Sequence, residues 1–267
     1  MRKPNPFQGP APPRENSPFD GVLLVDKPAG PTSHDVVAAV RRRTRIRKVG
    51  HGGTLDPQAT GLLILLLGRG TKLSEEFLTL DKAYEGTMRL GVATDSHDAQ
   101  GQVVAEADPS GITREQVESA LLEHRGDLYQ TPPMVSAVKV DGVPLYKRAR
   151  KGQTVARKPR LIHVYEFRLT DFSPPDARFV IRCTKGTYVR TLCADIGDAL
   201  GCGAHLTVLR RTQCGEFSVE DAMPLDDILA LDPEGLQDRV LPMRMFARSA
   251  RRGRSGHAPQ PRSGPAA

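Results

Sequence analysis

The residues best suited to chemistry lie in one glycine-rich stretch, residues 49–61 (VGHGGTLDPQATG). Its centre is an Asp-Pro pair, and proline disfavours helical backbone at the residue before it, so Asp56 is held near extended geometry. The surrounding glycines let a partner come close to the main chain. A carboxylate on such a stiff loop can act as a positioned nucleophile or base, whereas an isolated Asp-Pro pair more often caps a turn. The stretch by itself does not decide between these two roles.

Two apolar segments must position this loop. Residues 62–67 (LLILLL) follow it directly and have the length and composition of a fully buried strand. Residues 21–25 (GVLLV) form a second short buried strand, which ends in the rigid turn DKPAGP. Between them we predict a helix over residues 33–43, with Ser33 as its N-cap and its valines facing inward. The loop is therefore expected between a helix and a buried strand.

The rest of the chain mixes strand and helix patterns without a regular βαβ rhythm, which favours an α+β fold. Thr113 and Gln116 have the spacing of a capping box, which predicts a helix to about residue 124. The other expected elements are helices at 71–80, 187–201 and 224–231, strands at 84–90, 161–172, 177–184, 204–210 and 216–219, and a polar turn at 93–101.

The net charge of +7 is unevenly distributed. The proline-rich residues 1–18 carry a net charge of +2 and residues 248–267 carry +5, so residues 19–247 sum to zero. Within that neutral part, residues 41–48 (RRRTRIRK) hold six basic residues, and residues 146–160 hold seven with no acid. Such clusters favour nucleic acid as a partner, although any one of them could be a solvated helix face. We expect both ends of the chain to be disordered arms.

The sequence argues against several classes of protein. It has no run of about 18 apolar residues, so no membrane-spanning helix is expected. Its amino terminus lacks the apolar core of a secretory signal, which indicates a cytoplasmic protein. The cysteines have no metal-ligand spacing, so we expect buried reduced thiols and no metal site. These cysteines are Cys183, Cys193, Cys202 and Cys214.

A second informative stretch covers residues 130–152 (QTPPMVSAVKVDGVPLYKRARKG). Residues 134–140 alternate as a strand, Asp141-Gly142 is typical of a hairpin turn, and a short basic helix is expected after it. The stretch has too few apolar residues to bury itself. We therefore predict an arm at about residues 130–160 that projects from the core and contacts an anionic partner.

Together these segments resemble the TruB family of tRNA pseudouridine synthases. The resemblance is carried by VGHGGTLDPQATGLL, by the turn KPAGPTS, by residues 130–152, and by CTKGTYVRTLCADIG followed by LTVLRRT. It covers roughly residues 21–227, with the motifs in order. It implies a mixed, largely antiparallel central sheet flanked by helices, with the arm gripping RNA. It also implies an enzyme that converts the T-loop uridine of tRNA (position 55) to pseudouridine, without metal or cofactor.

The resemblance implies roles for individual residues. Asp56 would be the nucleophile, either by attack at C1′ or by deprotonation at C2′, and the sequence leaves both routes open. Tyr84 would stack on the flipped uracil and could serve as a base, and Arg190 would pair with Asp56. The implied substrate-binding residues are Lys27 at the turn, His51 in the space left by the flipped base, Tyr188 and Leu209 in the pocket, and Lys147, Arg148, Arg150 and Lys151 on phosphates of the T arm.

The sequence departs from the family pattern in three respects. Gly52 stands where threonine is usual, and Gln58 stands where leucine is common. Residues 19–247 account for the catalytic domain, but only the basic tail follows, where bacterial members often continue into a small RNA-binding PUA domain.

We expect tRNA as the partner, bound through its T arm, with no obligatory protein partner and a monomeric state. Two other functions stay open. A guide-RNA-dependent relative modifies ribosomal RNA within a protein complex, but it carries the PUA domain for which we find no sequence. A non-catalytic tRNA chaperone would use the basic arm, but it would not need Asp56, Tyr84 and Arg190 together.

Overall fold

The computed structural model describes residues 17–136, 138–140, 142–145, 148, 152–153 and 155–246. Its helices are α1 Ser33–Thr44, α2 Ser74–Thr79, α3 Arg114–Glu123, α4 Val189–Ala199, α5 Leu225–Ala230 and α6 Pro233–Arg239. Short 3-10 helices cover Gly68–Leu73, Val219–Asp221 and Met243–Met245. Its strands are β1 Gly21–Lys27, β2 Val49–His51, β3 Thr60–Leu67, β4 Lys82–Leu90, β5 Val92–Thr94, β6 Val103–Glu106, β7 Gly126–Gln130, β8 Lys139–Val140, β9 Val143–Pro144, β10 Arg160–Ser173, β11 Asp176–Cys183, β12 Ala204–Cys214, β13 Phe217–Ser218, β14 Met223–Pro224 and β15 Leu241–Pro242.

One large sheet organises the described residues, with the strand order β14-β1-β3-β12-β4-β11-β10-β7. β2, β13 and β15 extend it by pairing with β3, β12 and β1. The β1–β14 and β3–β12 pairs are parallel, and the other pairs in this sheet are antiparallel. This mixed, mostly antiparallel sheet with helices packed on it confirms the predicted α+β fold.

The apolar run at residues 62–67 lies in strand β3, which is buried on both faces. Every residue of β3 after Thr60 is buried, because β1 and β12 flank it and both of its faces are covered. Leu63, Leu65 and Leu67 face a core shared with α1, α5 and α6, while its other residues face a second core around Phe77. A strand buried on both faces has no polar alternation, which is the pattern that the sequence shows.

The third and largest core lies under β4, β10, β11 and β12, where α3 and α4 pack. Tyr84 on β4 and Leu209 on β12 are partly buried and touch both this core and the one beside α1. The two residues therefore stand where the halves of the sheet meet. The four cysteines are buried and unpaired, as predicted. Among the described helices, none is long and apolar enough to cross a bilayer.

The structure corrects several local predictions. Thr32, and not Ser33, is the N-cap of α1, because its side chain accepts from the Asp35 amide while the Asp35 side chain accepts from the Thr32 amide. The helix predicted at 71–80 is a 3-10 turn followed by the six residues of α2. Strand β2 was missed among the glycines, and α6 follows the helix that was expected to be the last. The capping box at Thr113 is confirmed.

Several segments of the prediction cannot be compared with the structure. Residues 1–16 and 247–267, which contain nearly all of the two expected arms, lie outside the described residues. Within the predicted RNA-binding arm, β8 and β9 form the expected hairpin around Gly142. The strand predicted at residues 134–140 is shorter, because β8 covers only Lys139–Val140 and residues 134–136 form a bend. Lys147, Arg150 and Lys151 lie outside the described residues, and Arg148 is half-buried.

Two buried cations connect the sheet to the loop that carries Asp56. Lys27, at the end of β1, is completely buried and donates to the carbonyls of Pro28, Pro57 and Ala59 at 2.8–3.0 Å. Burial lowers the pKa of Lys27 to about 8. Because a buried carbonyl without a donor is costly, this ammonium group holds the loop against β1.

Arg211 on β12 holds the same loop from the other side. Its Nε donates to Leu62 O at 2.7 Å, and its Nη1 and Nη2 donate to Thr54 O and Gly53 O at 3.3 and 3.2 Å. The backbone of β12 also lies against Gly61, whose φ is +95° and where a Cβ would lie 2.3 Å from Arg211 O. Only glycine satisfies both constraints at this position.

We predict that Lys27→Met lowers the free energy of unfolding by about 2–4 kcal/mol, because buried carbonyls lose their donor. Urea unfolding midpoints measure the effect. The matched control is Lys72→Met, at an exposed lysine, which should change stability by less than about 0.5 kcal/mol. Equal midpoints for the two variants would contradict a role for Lys27 in holding the loop.

Candidate active site

The Asp56 loop opens onto a cavity of about 300 Å³ between the two halves of the sheet. Five of the residues singled out from the sequence line it, namely Asp56, Tyr84, Tyr188, Arg190 and Leu209. They come from the loop after β2, from β4, from the start of α4 and from β12. The fold thus gathers residues that lie far apart in the chain around one space large enough for a small planar ligand.

Asp56 and Arg190 form the charged pair of this cavity. Arg190 Nε lies 3.2 Å from Asp56 Oδ2, and the Arg190 side chain is 3% exposed whereas that of Asp56 is 50% exposed. Nε is nevertheless not aligned for a hydrogen bond with any described acceptor. The carboxylate therefore faces the open cavity with a buried positive charge behind it, which suits a group that must attack a ligand.

The Arg190 guanidinium is fixed by backbone carbonyls from two distant segments. Nη1 donates to Ser96 O at 3.1 Å, and Nη2 donates to Val135 O. The Asp98 carboxylate lies 3.7 Å from Nη1 as a second, more distant counter-charge. A planar guanidinium held at several nitrogens has little freedom to rotate, so its distance from Asp56 is set by the fold.

Tyr84 lies in the centre of the sheet, where β4 pairs with both β11 and β12. Burial raises the pKa of its phenol to about 12, although the nearby Arg211 opposes this shift. The hydroxyl therefore stays protonated near neutral pH. It can donate a hydrogen bond, and its ring can stack on a ligand. The predicted role of Tyr84 as a base stays a prediction.

Tyr188 stands at the N-cap of α4, directly before the helical turn that carries Arg190. The side chain of Gln130 binds its backbone on both sides, by donating to Tyr188 O at 3.0 Å and accepting from Tyr188 N at 2.8 Å. The Arg190 guanidinium carbon lies 5.7 Å from the centre of the Tyr188 ring. Burial raises the pKa of the Tyr188 phenol, so it too is protonated near neutral pH.

Two predicted binding residues do not line the cavity. Lys27 lies beneath the loop and donates to backbone carbonyls of the protein, and its predicted part in substrate binding stays a prediction. His51 lies on β2, where its Nδ1 accepts from Gly53 N at 3.3 Å and its ring packs edge-on against His34 with centroids 5.6 Å apart. Burial lowers the pKa of His51, which favours the neutral ring. The predicted role for His51 stays a prediction.

The departure at Gly52 has a structural reason. A Cβ at this position would lie 2.6 Å from the Cβ of Phe77, which packs directly against the backbone. Phe77 in turn contacts Phe217 and Phe246. The aromatic cluster thus occupies the space that a larger residue 52 would need, and Gly52 does not disturb the cavity.

The sequence analysis did not single out several residues that line or support the cavity. Arg211, Gln130 and Ser136 are buried, and Lys82 lies beside the cavity with its ammonium group donating to Leu78 O and Leu80 O. The pair Arg210-Arg211 carried a usable signal, because adjacent residues on a strand face opposite sides and one of them must face inward. Because the predicted strand ended at residue 210, Arg211 was left outside it and this alternation was not used.

Comparisons with known proteins show the family to which the chain belongs. The family model described as "TruB family pseudouridylate synthase (N terminal domain)" matches residues 41–189, and the one described as "tRNA pseudouridylate synthase B C-terminal domain" matches residues 190–246. Their boundary falls inside α4, and β12 from the second match lies between β3 and β4 from the first. The two matched segments therefore contribute strands to one sheet. Together they place the fold and its cavity in the class of pseudouridylate synthases.

Curated relatives are similar over most of the chain. The tRNA pseudouridine synthase B of Opitutus terrae is 54% identical over 86% of this chain and 96% of its own length. That of Syntrophotalea carbinolica is 47% identical over 84% of this chain and 73% of its own length. The chain belongs to the TruB family of pseudouridylate synthases.

Solved structures show the same fold. A chain in the crystal structure of a Cbf5-Nop10-Gar1 complex matches with a TM-score of 0.67 and 30% identity over 85% of this chain. A chain in the structure of an H/ACA RNP bound to a substrate RNA containing 2′-deoxyuridine matches with a TM-score of 0.63 and 28% identity, also over 85%. This chain spans about three fifths of the length of both, 61% and 60%.

We predict that Tyr84→Phe lowers kcat/KM for pseudouridine formation by less than about tenfold, because the ring is kept and only a protonated hydroxyl is lost. Since the raised pKa keeps Tyr84 protonated, the pH profile between about pH 6 and 10 should have the same shape in both proteins. Tyr84→Leu, which removes the ring, is the contrasting variant and should lose far more activity. Loss of the acidic or alkaline limb of the pH profile in Tyr84→Phe would instead support a role of Tyr84 as a base.

Proposed function

We propose that this protein converts the uridine at position 55, in the T loop of tRNA, to pseudouridine, with Asp56 as the nucleophile. The observation that carries this proposal is the Asp56 carboxylate, half-exposed to a cavity and 3.2 Å from the buried Arg190. Family membership supplies the reaction, and the names of the curated relatives support tRNA as the substrate.

The reaction needs few groups. The C1′–N1 bond of the uridine breaks, the detached base turns, and a C1′–C5 bond forms. C5 loses one proton and N1 gains one, so no external reactant is consumed. Asp56 either attacks C1′ or removes the C2′ proton, and both routes start from a carboxylate facing the sugar. The cavity must retain the free base and exclude water during this time.

The cavity walls suit a uracil ring. Tyr84 provides an aromatic face for stacking, and Tyr188 and Leu209 close the sides. The target base must leave the RNA stack to reach them, which costs a few kcal/mol and less for a loop base than for a base in a helix. A T-loop uridine is therefore an accessible target for a cavity of this size.

The other two functions are less well supported. A non-catalytic tRNA chaperone would have no need for a buried Arg190 fixed beside a half-exposed Asp56. The solved structures of a Cbf5-Nop10-Gar1 complex and of an H/ACA RNP match at 30% and 28% identity, whereas the curated tRNA pseudouridine synthases B match at 47–54%. The higher identity favours the tRNA enzyme over a relative that acts within a protein complex. We accordingly propose a cytoplasmic, monomeric enzyme that needs no cofactor and no obligatory protein partner.

We predict that Asp56→Asn abolishes pseudouridine formation in an unmodified tRNA transcript and leaves tRNA binding within about threefold, because the amide is nearly isosteric but cannot act as the nucleophile. Carbodiimide primer extension maps the modified site, and filter binding measures affinity.

The matched control is Asp176→Asn, which also removes a carboxylate beside an arginine, Arg89 at 2.9 Å, but neither of these residues lines the cavity. It should keep full activity. Turnover by Asp56→Asn would refute the nucleophile, whereas a modified uridine elsewhere in the wild-type reaction would keep the chemistry and change the substrate.

The arm at residues 130–160 is proposed to bind phosphates of the T arm. Replacing Lys147, Arg148, Arg150 and Lys151 with glutamine should weaken tRNA binding and flatten the slope of log Kd against log salt, because fewer counterions are released. The measurement is filter binding over a series of salt concentrations.

A variant that loses the same number of charges elsewhere is the control for this series. It carries glutamine at the exposed positions Arg114, Arg168, Arg178 and Arg239. The proposal requires a flatter slope for the arm variant than for this control. Equal slopes in the two variants would assign the arm a structural role.

A further inference from the structure

Ser136 has a hydroxyl group that the fold buries without using. The residue is 5% exposed and lines the same cavity as Asp56 and Tyr84. Its Oγ makes no hydrogen bond of normal geometry with any described residue, although it lies close enough to the Tyr188 phenol to lower the pKa of that group. Buried hydroxyls are almost always paired, and leaving one unpaired costs stability. A ligand in the cavity is the missing partner that the geometry suggests.

The segment that carries Ser136 is held rigidly at the base of the arm. Arg190 donates to the carbonyl of Val135, the residue before it, and Ser136 N donates to Met134 O at 3.0 Å. Further back, Gln130 is bound to the Tyr188 backbone, and Pro132 and Pro133 are buried. The backbone next to Ser136 is thus held by the same side chain that faces Asp56, so the residue is built into the site.

The chemistry of uracil identifies what such a hydroxyl could bind. After the C1′–N1 bond breaks, C5 must take the place of N1, and a half-turn of the ring about its N3–C6 axis does this. The same half-turn exchanges the O2 and O4 carbonyls, while the N3–H edge keeps its place. A donor that meets one carbonyl before the turn therefore meets the other carbonyl after it. The Ser136 hydroxyl is a donor, so it can meet the carbonyl that either orientation presents.

We infer that Ser136 Oγ donates a hydrogen bond to a ring carbonyl of the flipped uracil and holds the detached base in both orientations. This inference rests on the proposed function, because it concerns the base on which that function acts. It makes Ser136 a specificity-determining residue for the base, with no part in breaking or forming the glycosidic bonds.

The test compares wild type and Ser136→Ala on two T-arm stem-loop RNAs. One RNA carries uridine at the target position, and the other has an abasic nucleotide there. We expect Ser136→Ala to lower kcat/KM on the uridine RNA by about tenfold or more, since a buried ring carbonyl is left without a donor. Its affinity for the abasic RNA should equal that of wild type, and its Tm should be unchanged or higher because an unpaired buried hydroxyl has been removed.

Ser33→Ala is the contrasting variant, since Ser33 is also buried but its Oγ is fully paired with Leu55 N and O at 2.8 and 3.0 Å. It should lower Tm, as a structural serine does. A lower Tm in Ser136→Ala, an equal loss of affinity on the abasic RNA, or an unchanged kcat/KM would each overturn the inference. If wild type bound the uridine RNA but formed no pseudouridine, the proposed function would fail. A loss of affinity in Ser136→Ala for the uridine RNA, but not for the abasic RNA, would still support the contact.

Discussion

The structure depends on how tightly the backbone on both sides of Asp56 is held. Ser33 pairs with both polar backbone groups of Leu55, Lys27 and the Gly30 amide donate to Pro57 O, and Arg211 donates to the carbonyls that precede them. The loop has no regular secondary structure between β2 and β3, so these side chains satisfy carbonyls that a ladder would otherwise satisfy. A carboxylate on a loop fixed in this way keeps its direction without being buried itself.

Arg190, the counter-charge of Asp56, is also held by backbone carbonyls. Arg190 is buried, yet its hydrogen bonds go to carbonyls at Ser96 and Val135, which leaves Asp56 free of a closely aligned partner. A fully bonded carboxylate would be a weaker nucleophile, and an unpaired one would lack a charge to stabilise it. Because Val135 belongs to the base of the arm, the geometry of the charged pair also depends on the segment that we propose contacts the RNA.

The site lies at the junction of two cores, and this explains its shape. Tyr84 and Leu209 pack against both the core under α4 and the core beside α1, so the cavity between them is lined by rigid strands on each side. Residues on strands hold a ligand in place more precisely than residues on flexible loops do. Burial also raises the pKa of the Tyr84 phenol to about 12, so this wall presents an aromatic ring and a neutral hydroxyl.

The sequence by itself determined the elements whose signals are local: the buried run of β3, the paired alternation of β10 and β11, the capping box of α3, and the motifs that point to Asp56, Tyr84 and Arg190. It failed where a short-range pattern was ambiguous, as at β2 among glycines and at the N-cap of α1, where Thr32 and Ser33 are both good capping residues. The tertiary structure alone decided that Arg211 reaches Gly53 across 158 residues, that Lys27 turns inward, and that Ser136 keeps an unpaired hydroxyl in the cavity. Hydrogen bonds between distant segments leave no periodicity in the chain, because they depend on which strands become neighbours after the sheet has formed.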